Sequence, residues 1–342
     1  MKENSKRKNS KNISISQDVA SNALPVEDDI SKEVLQAVLQ SSQRLGHRFN
    51  RTVRCFDEKP ISIGIILPNA WPEFYGLLSK GLQNELVRNR DYKLSAQFRS
   101  ISNLYSDNEI ENALESLIEE RVDAVILCPA FVTNYSPYLD KLCENNIPTI
   151  LLGADLANGK RLASVRVDAY MSGRLAGEFL GGIVPDNKSV AVFIGNKDIM
   201  DYSQKVDGFL HELKYSTCKV CGIYETHGEP EVAYHLTKMI IKERHDLGGI
   251  FVATGNLATV CECVLEHGLE GKIKIIGTDV FPDIKRFMDK GVMSGIIYQD
   301  PVKQGEIAIN TLYSYLVDGC ECNQSIFIKP SLILKSNLSG YL

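Results

Sequence analysis

The chain has 342 residues, 44% of them hydrophobic and 24% charged, with a formal net charge of −5. That is an ordinary globular composition, long enough for a small head plus one or two α/β units, and it excludes a disordered or fibrous chain. No run of about 18 apolar residues occurs, so no membrane span is expected.

Charge is divided unevenly along the chain. Residues 1–60 hold 11 Lys/Arg against 8 Asp/Glu, and the remainder holds 27 against 35, so a head of +3 precedes a body of −8. The start, MKENSKRKNSKNISIS, is basic with no apolar run behind it, which predicts a cytoplasmic protein without a secretory signal. The nine scattered Cys agree with a reducing compartment. Near the end of the head, Arg44, Arg48, Arg51 and Arg54 form a basic segment. A body of −8 repels polyanions, so any nucleic-acid contact is local to residues 2–11 and 44–54; the same charges equally suit a solvated tail and helix face.

From Ile61 onward, short apolar runs alternate with amphipathic stretches. ISIGIIL (61–67), KLSAQF (93–98), VDAVIL (122–127), IPTILL (147–152), SVAVFI (189–194), GGIFVA (248–253) and IKIIGT (273–278) read as strands buried on both faces, which parallel sheets require. Between them Leu77, Leu78, Gly81 and Leu82, or Ile110, Leu114, Leu117 and Ile118, recur at helical spacing. The repeated strand–helix pattern predicts parallel sheets with crossover helices. About a dozen strands exceed one compact open sheet, and the pattern restarts near Ser164, so two lobes are expected.

In such folds ligands sit beyond the carboxyl ends of the strands. The residues there are polar and aromatic: Asn69, Trp71, Phe74, Phe131, Asp155, Lys205, Asn256, Asp279, Phe281 and Gln299. Amides, carboxylates and a cation bind pairs of hydroxyls, and aromatic faces stack on a sugar ring, so the inventory suits a sugar or polyol. Taken singly, each has a simpler role as a helix cap or lobe packing. Catalytic signatures are absent from the sequence: no GxSxG, GxxxxGK[ST], GxGxxG or HExxH, and no ligand spacing among the six His. Cys218 and Cys221 form a CxxC, but within a strand pattern (KVCGIYE) instead of at a helix start. A binder is expected, not an enzyme, with neither metal nor cofactor.

These residues resemble the lac repressor (LacI/GalR) family of bacterial regulators, whose body is similar to type I periplasmic sugar-binding proteins. VDAYMSGRLAGEFL (167–180), IIGTDVFPDIKRFMDKGVMSGIIYQDPVKQGEIAI (275–309) and IFIKPSLILKSN (326–337) carry the resemblance in order. It implies an α/β, two-lobed type I periplasmic-binding-protein-like fold over 60–342, preceded by a small all-α head over 1–59. Lobe 1 would comprise about 60–164 and 300–325, and lobe 2 about 165–299 and 326–342, with three crossings. It also implies a homodimer with a sugar or polyol effector touching Trp71, Phe74, Asp155, Lys205, Asn256, Asp279 and Gln299. Lys205 stands where the family often carries an arginine, a point charge in place of a planar fork.

The head resembles the family less closely. ISKEVLQAVLQSSQRLGHRFNRTVRCF (30–56) resembles its third helix and hinge helix, with Asn50, Arg51 and Arg54 toward operator DNA and Phe56 near the usual minor-groove leucine, while Phe49 replaces the usual proline. Aligned without gaps, residues 13–25 fall on the recognition helix, with Ser16 as N-cap and Gln17, Asp18, Ser21 and Asn22 toward the groove. That leaves SKRKNSKN (5–12), which has no apolar face, on the supporting helix. The other alignment, with SISQDVA on the first helix, leaves no recognition helix. Either way one helix of the pair is degenerate.

Overall fold

The computed structural model describes residues 60–89, 94–102, 106–129, 134–156 and 158–342. The chain divides into two units, one of Ser62–Arg88 with Ser95–Leu342, the other of Met1–Ile61 with Asn89–Leu94. Residues 1–59 fall outside the described residues, and with them Ser16, Gln17, Ser21, Asn22, Asn50, Arg51, Arg54 and Phe56. So does Phe131.

The body is a two-sheet α/β fold. In chain order its first half runs β1 (Ile61–Pro68), a wide helical turn (Pro72–Gly76), α1 (Leu77–Arg88), β2 (Leu94–Ile101), α2 (Asp107–Glu119), β3 (Ala124–Leu127), α3 (Ser136–Glu144), β4 (Thr149–Leu152) and β5 (Ala163–Val167). The second half runs α4 (Ala169–Ile183), β6 (Ser189–Ile194), α5 (Met200–Leu213), β7 (Lys219–Glu225), α6 (Pro230–Glu243), β8 (Leu247–Val252), α7 (Leu257–Glu266), β9 (Lys274–Thr278), α8 (Ile284–Asp289) and β10 (Met293–Tyr298). It closes with α9 (Pro301–Leu316), β11 (Ser325–Ile328) and β12 (Ser331–Ile333). One six-stranded sheet has the order β11-β5-β4-β3-β1-β2 and the other β12-β10-β9-β8-β6-β7. The pairs β1–β3, β3–β4, β4–β5, β5–β11, β6–β7, β6–β8, β8–β9 and β9–β10 are parallel, and β10–β12 is antiparallel.

Burial explains which runs became central strands. Every residue of β3 (AVIL), β4 (TILL), β6 (SVAVFI) and β8 (LGGIFV) is buried, as helices on both faces demand. The expectation of two buried faces fails at β2, an edge strand with alternating exposure and Phe98 on the surface. The helices present the expected stripes. Ile110, Leu114 and Leu117 of α2 are buried, and Ser106 caps its start by accepting the Glu109 N–H at 3.3 Å.

Two lobe boundaries differ from the sequence reading. SVRV belongs to β5 of the first sheet, so the chain first crosses after Val167, not near Ser164. Residues 325–328 also join the first sheet, as β11 beside β5, and the last crossing falls between Ile328 and Ser331. The chain still crosses three times: after β5, between β10 and α9, and between β11 and β12.

Each lobe contains one helix pair that meets backbone to backbone through glycine. In lobe 1, α1 packs on α9, where a β-carbon on Gly305 would lie 2.5 Å from the Leu78 carbonyl oxygen. In lobe 2, α4 packs on α5, with Gly173 against the Lys205 carbonyl, Gly208 against the Tyr170 carbonyl and a Gly177 β-carbon position 2.7 Å from the Phe209 oxygen. These contacts fix the position of α5, which carries Asp201, Tyr202 and Lys205.

Candidate functional site

The strand ends of both lobes enclose a cavity of about 250 Å³. From lobe 1 come Trp71 and Phe74 after β1, Tyr135 at the start of α3 and Asp155 after β4; from lobe 2 come Lys205 in α5, Asp279 after β9 and Gln299 after β10. Six of the seven residues expected to touch a ligand therefore line one space: Trp71, Phe74, Asp155, Lys205, Asp279 and Gln299. Asn256 does not line it. Its Nδ2 donates to the Gly228 carbonyl at 3.2 Å and its Oδ1 accepts from Thr226 Oγ1 at 2.8 Å, so it ties the loops after β7 and β8 together from behind. Phe281 is likewise core, packed against Phe287 at 5.9 Å between ring centres.

Local sequence explains how the polar floor is built. In Gln299-Asp300-Pro301, Asp300 caps α9 by accepting the Lys303 N–H at 3.2 Å, and Pro301 supplies the preset first helical residue. That turn fixes the backbone of Gln299 beneath the cavity, and Gln304 Nε2 of α9 donates to its carbonyl at 2.8 Å. The Gln299 amide then bridges two charges. Its Nε2 donates to both Asp279 oxygens at 2.9 and 3.0 Å, and its Oε1 accepts from Lys205 Nζ at 3.1 Å. The donor and acceptor ends of the amide are assigned by these partners.

All three members are buried, and burial dominates the ionisation of Asp279 and Lys205. It pushes the Asp279 carboxyl up to about 6, with the Gln299 bonds and Lys205 pulling it back and Glu73 pushing the same way as burial. Burial lowers the Lys205 ammonium, which Asp279 and Asp201 partly restore. Asp279 also sits at φ 69°, a left-handed conformation that Asp visits more readily than most non-glycine residues.

The Asp279 shift sets a pH dependence. The unfolded carboxyl titrates near 3.9, so between about pH 4 and 6 the native state holds a proton that the unfolded chain has lost, and the residue's contribution falls as pH rises. Asp279→Asn removes this term. Urea midpoints of wild type should therefore decline relative to the variant from about pH 4 to 6, and parallel profiles would refute the shift.

A second polar group joins the lobes. Arg166 of β5 donates Nη1 to Asp201 Oδ1 at 2.7 Å and to Gln204 Oε1 at 3.0 Å, with its guanidinium 4.9 Å from the Phe327 ring centre. Asp201 Oδ2 accepts the Asp155 N–H at 3.1 Å, and Arg161 Nη2 donates to Asp155 Oδ2 at 2.8 Å. Arg161, Asp155, Asp201 and Arg166 thus form a continuous chain across the interlobe boundary. Trp71, at φ 35°, lays its indole on Gly255 of the opposite lobe, where a β-carbon would lie 2.9 Å from Cδ1 and Nε1.

Tyr75, Tyr135, Tyr202, Glu73 and Asp201 also line the cavity and were not singled out in the sequence. Asp201 and Tyr202 lie inside the stretch after β6 that the strand-end rule marks. A visible signal for Arg166 was an arginine inside a fully buried strand, where a charge requires a partner. Among the described residues no group of three or more His, Cys, Asp and Glu is placed to hold a metal ion, and no helix is long and apolar enough to cross a membrane.

Comparison with known proteins places this arrangement. A family model described as "Periplasmic binding protein domain" matches residues 63–319. Curated relatives include the catabolite control protein A of Priestia megaterium, 24% identical over 273 residues, covering 78% of this chain and 79% of that protein. Another is the HTH-type transcriptional repressor PurR of Salmonella arizonae, 23% identical over 286 residues, covering 81% and 80%. Solved structures of the same fold include GanP, a glucose-galactose binding protein from Geobacillus stearothermophilus, with TM-score 0.74, 21% identity and coverage of 82% of this chain and 99% of that one. A periplasmic solute binding protein from Actinobacillus succinogenes with bound D-allose has TM-score 0.75 and 22% identity, covering 83% and 100%.

Proposed function

The chain belongs to the periplasmic binding protein domain family, and on that premise we propose that it is a ligand-responsive transcriptional regulator of lac repressor type. A small sugar or polyol would bind between the lobes, and residues 1–59 would bind operator DNA in a homodimer. The observation that carries this reading is the interlobe cavity that combines ring faces (Trp71, Phe74) with buried polar groups suited to hydroxyls (Asp155, Lys205, Asp279, Gln299). Names of the relatives support the regulatory half, and the titles of the structural neighbours support the sugar half.

The mechanism follows from where the lobes touch. Ligand held by Trp71 and Asp155 on one side and by Asp279 and Gln299 on the other favours the closed arrangement of the Arg161 to Arg166 chain. A change in that equilibrium alters the geometry at the start of β1, where the arginine segment enters, and so couples the two sites. The nine Cys favour a cytoplasmic setting. In gel-shift assays with genomic fragments around its own gene, the full chain should give saturable, salt-dependent binding that a sugar effector alters.

A second reading is a sugar sensor that no longer reads DNA. It is favoured by SKRKNSKN (5–12), which lacks the apolar face a supporting helix needs. Absence of saturable binding to every fragment, with sugar binding intact, would select it.

A further inference from the structure

Charge in the cavity is unbalanced. Glu73, Asp155, Asp198, Asp201 and Asp279 line it, against the lone ammonium of Lys205. Arg161 pairs with Asp155 and Arg166 with Asp201, which accounts for two of the carboxylates. Lys205 is engaged already: it donates to Gln299, faces Asp279 and lies 5.8 Å from the Tyr202 ring centre. Glu73 of lobe 1 and Asp198 of lobe 2 have no ion-pair partner among the described residues. An anionic ligand thus meets net negative charge and no free cation.

Ring faces point the same way. Trp71 and Tyr75 lie 6.0 Å apart between centres, and Phe74 meets Tyr75 edge-on at 5.2 Å. Aromatic faces attract a cation within about 6 Å, and more strongly when it is desolvated. Glu73 of lobe 1 and Asp279 of lobe 2 line the same cavity, and the Glu73 charge pushes the Asp279 carboxyl upward.

We propose that the cavity selects a sugar carrying a protonated amino group, with the ammonium set among Glu73, Asp279 and the faces of Trp71 and Tyr75, over neutral and phosphorylated sugars. The inference rests on the sugar reading above and narrows it. A half-buried ion pair of this kind corresponds to a preference of about tenfold, or about 1.4 kcal/mol.

Isothermal titration calorimetry on the full chain tests it with matched probes: D-glucosamine against D-glucose and N-acetyl-D-glucosamine, D-galactosamine against D-galactose, and glucose 6-phosphate. At about pH 6.5 the amine is protonated, since such groups titrate near 7.7–8.0. At least one amino sugar should bind about tenfold more tightly than its neutral counterpart, glucose 6-phosphate should not bind, and added salt should narrow the gap. Glu73→Gln should abolish most of the discrimination; Asp198→Asn, at an exposed position, should reduce it without risk to the fold. Neutral sugars binding as tightly as their amino counterparts would overturn the inference and leave the sugar reading standing. If no sugar of either kind bound, both would fall.

Discussion

Arg166→Ala is expected to cost about 3 to 5 kcal/mol, because it leaves the Asp201 carboxylate buried without its cation. Side-chain exposure is 4% for Arg166 and 11% for Asp201, so both partners are largely desolvated. Three interactions go at once: the bond to Asp201, the bond to Gln204 and the contact with the Phe327 ring. Urea denaturation gives the loss as a midpoint shift. The double variant Arg166→Met with Asp201→Leu should recover much of it, since an apolar pair of similar volume leaves no unpaired charge. A single-variant loss under about 1 kcal/mol would show that the pair is not desolvated. Because β5 belongs to one lobe and α5 to the other, the pair holds the lobes in register as well as stabilising the fold.

Gly208→Val is expected to cost about 3 kcal/mol or more, since overpacking against backbone has no flexible side chain to absorb it. The new β-carbon strikes the Tyr170 carbonyl and comes within 3.0 Å of the Arg174 amide nitrogen, forcing α4 and α5 apart. That displacement carries Asp201, Tyr202 and Lys205 away from the cavity, so ligand affinity should fall together with stability. Gly182, near the end of α4, provides the opposite case. Nothing lies within 4 Å of its β-carbon position, so Gly182→Ala should stabilise by about 0.5 to 1 kcal/mol through helix propensity alone. Thermal melts of both variants check the pair of signs. Equal effects would mean that helix propensity, not the backbone approach, governs these glycines.

Much of the fold was legible because parallel strands with covered faces leave an unmistakable record, as in AVIL and SVAVFI. The lobe boundaries were not. SVRV alternates polar and apolar residues, and nothing in composition marks that the chain leaves a sheet after Val167. By resemblance IFIKPSLIL falls whole in the second lobe, yet β11 and β12 join different sheets on either side of Lys329 and Pro330.

In the site, the strand-end rule found the groups that stand directly after strands, such as Asp155, Asp279 and Gln299. Tyr75 and Tyr202 sit on helical turns instead, where an aromatic at amphipathic spacing is indistinguishable from core. The rule also overreached at Asn256, whose position satisfies it but whose amide is consumed by Thr226 and Gly228. Position relative to a strand selects the neighbourhood of a site, while hydrogen-bond partners decide which side chains remain available to a ligand.

Trp71 is the sole tryptophan of the chain, and its indole lies in the cavity on Gly255. Tryptophan emission, excited selectively over the 14 tyrosines, therefore reports on the proposed site. Titration of the full chain with D-glucose, D-galactose, D-allose and their amino counterparts at micromolar to millimolar concentrations should give a saturable change in Trp71 emission for at least one sugar, and Asp279→Ala should abolish it. An emission spectrum indifferent to every sugar, or a response that survives unchanged in Asp279→Ala, would contradict the assignment of the interlobe cavity as the ligand site.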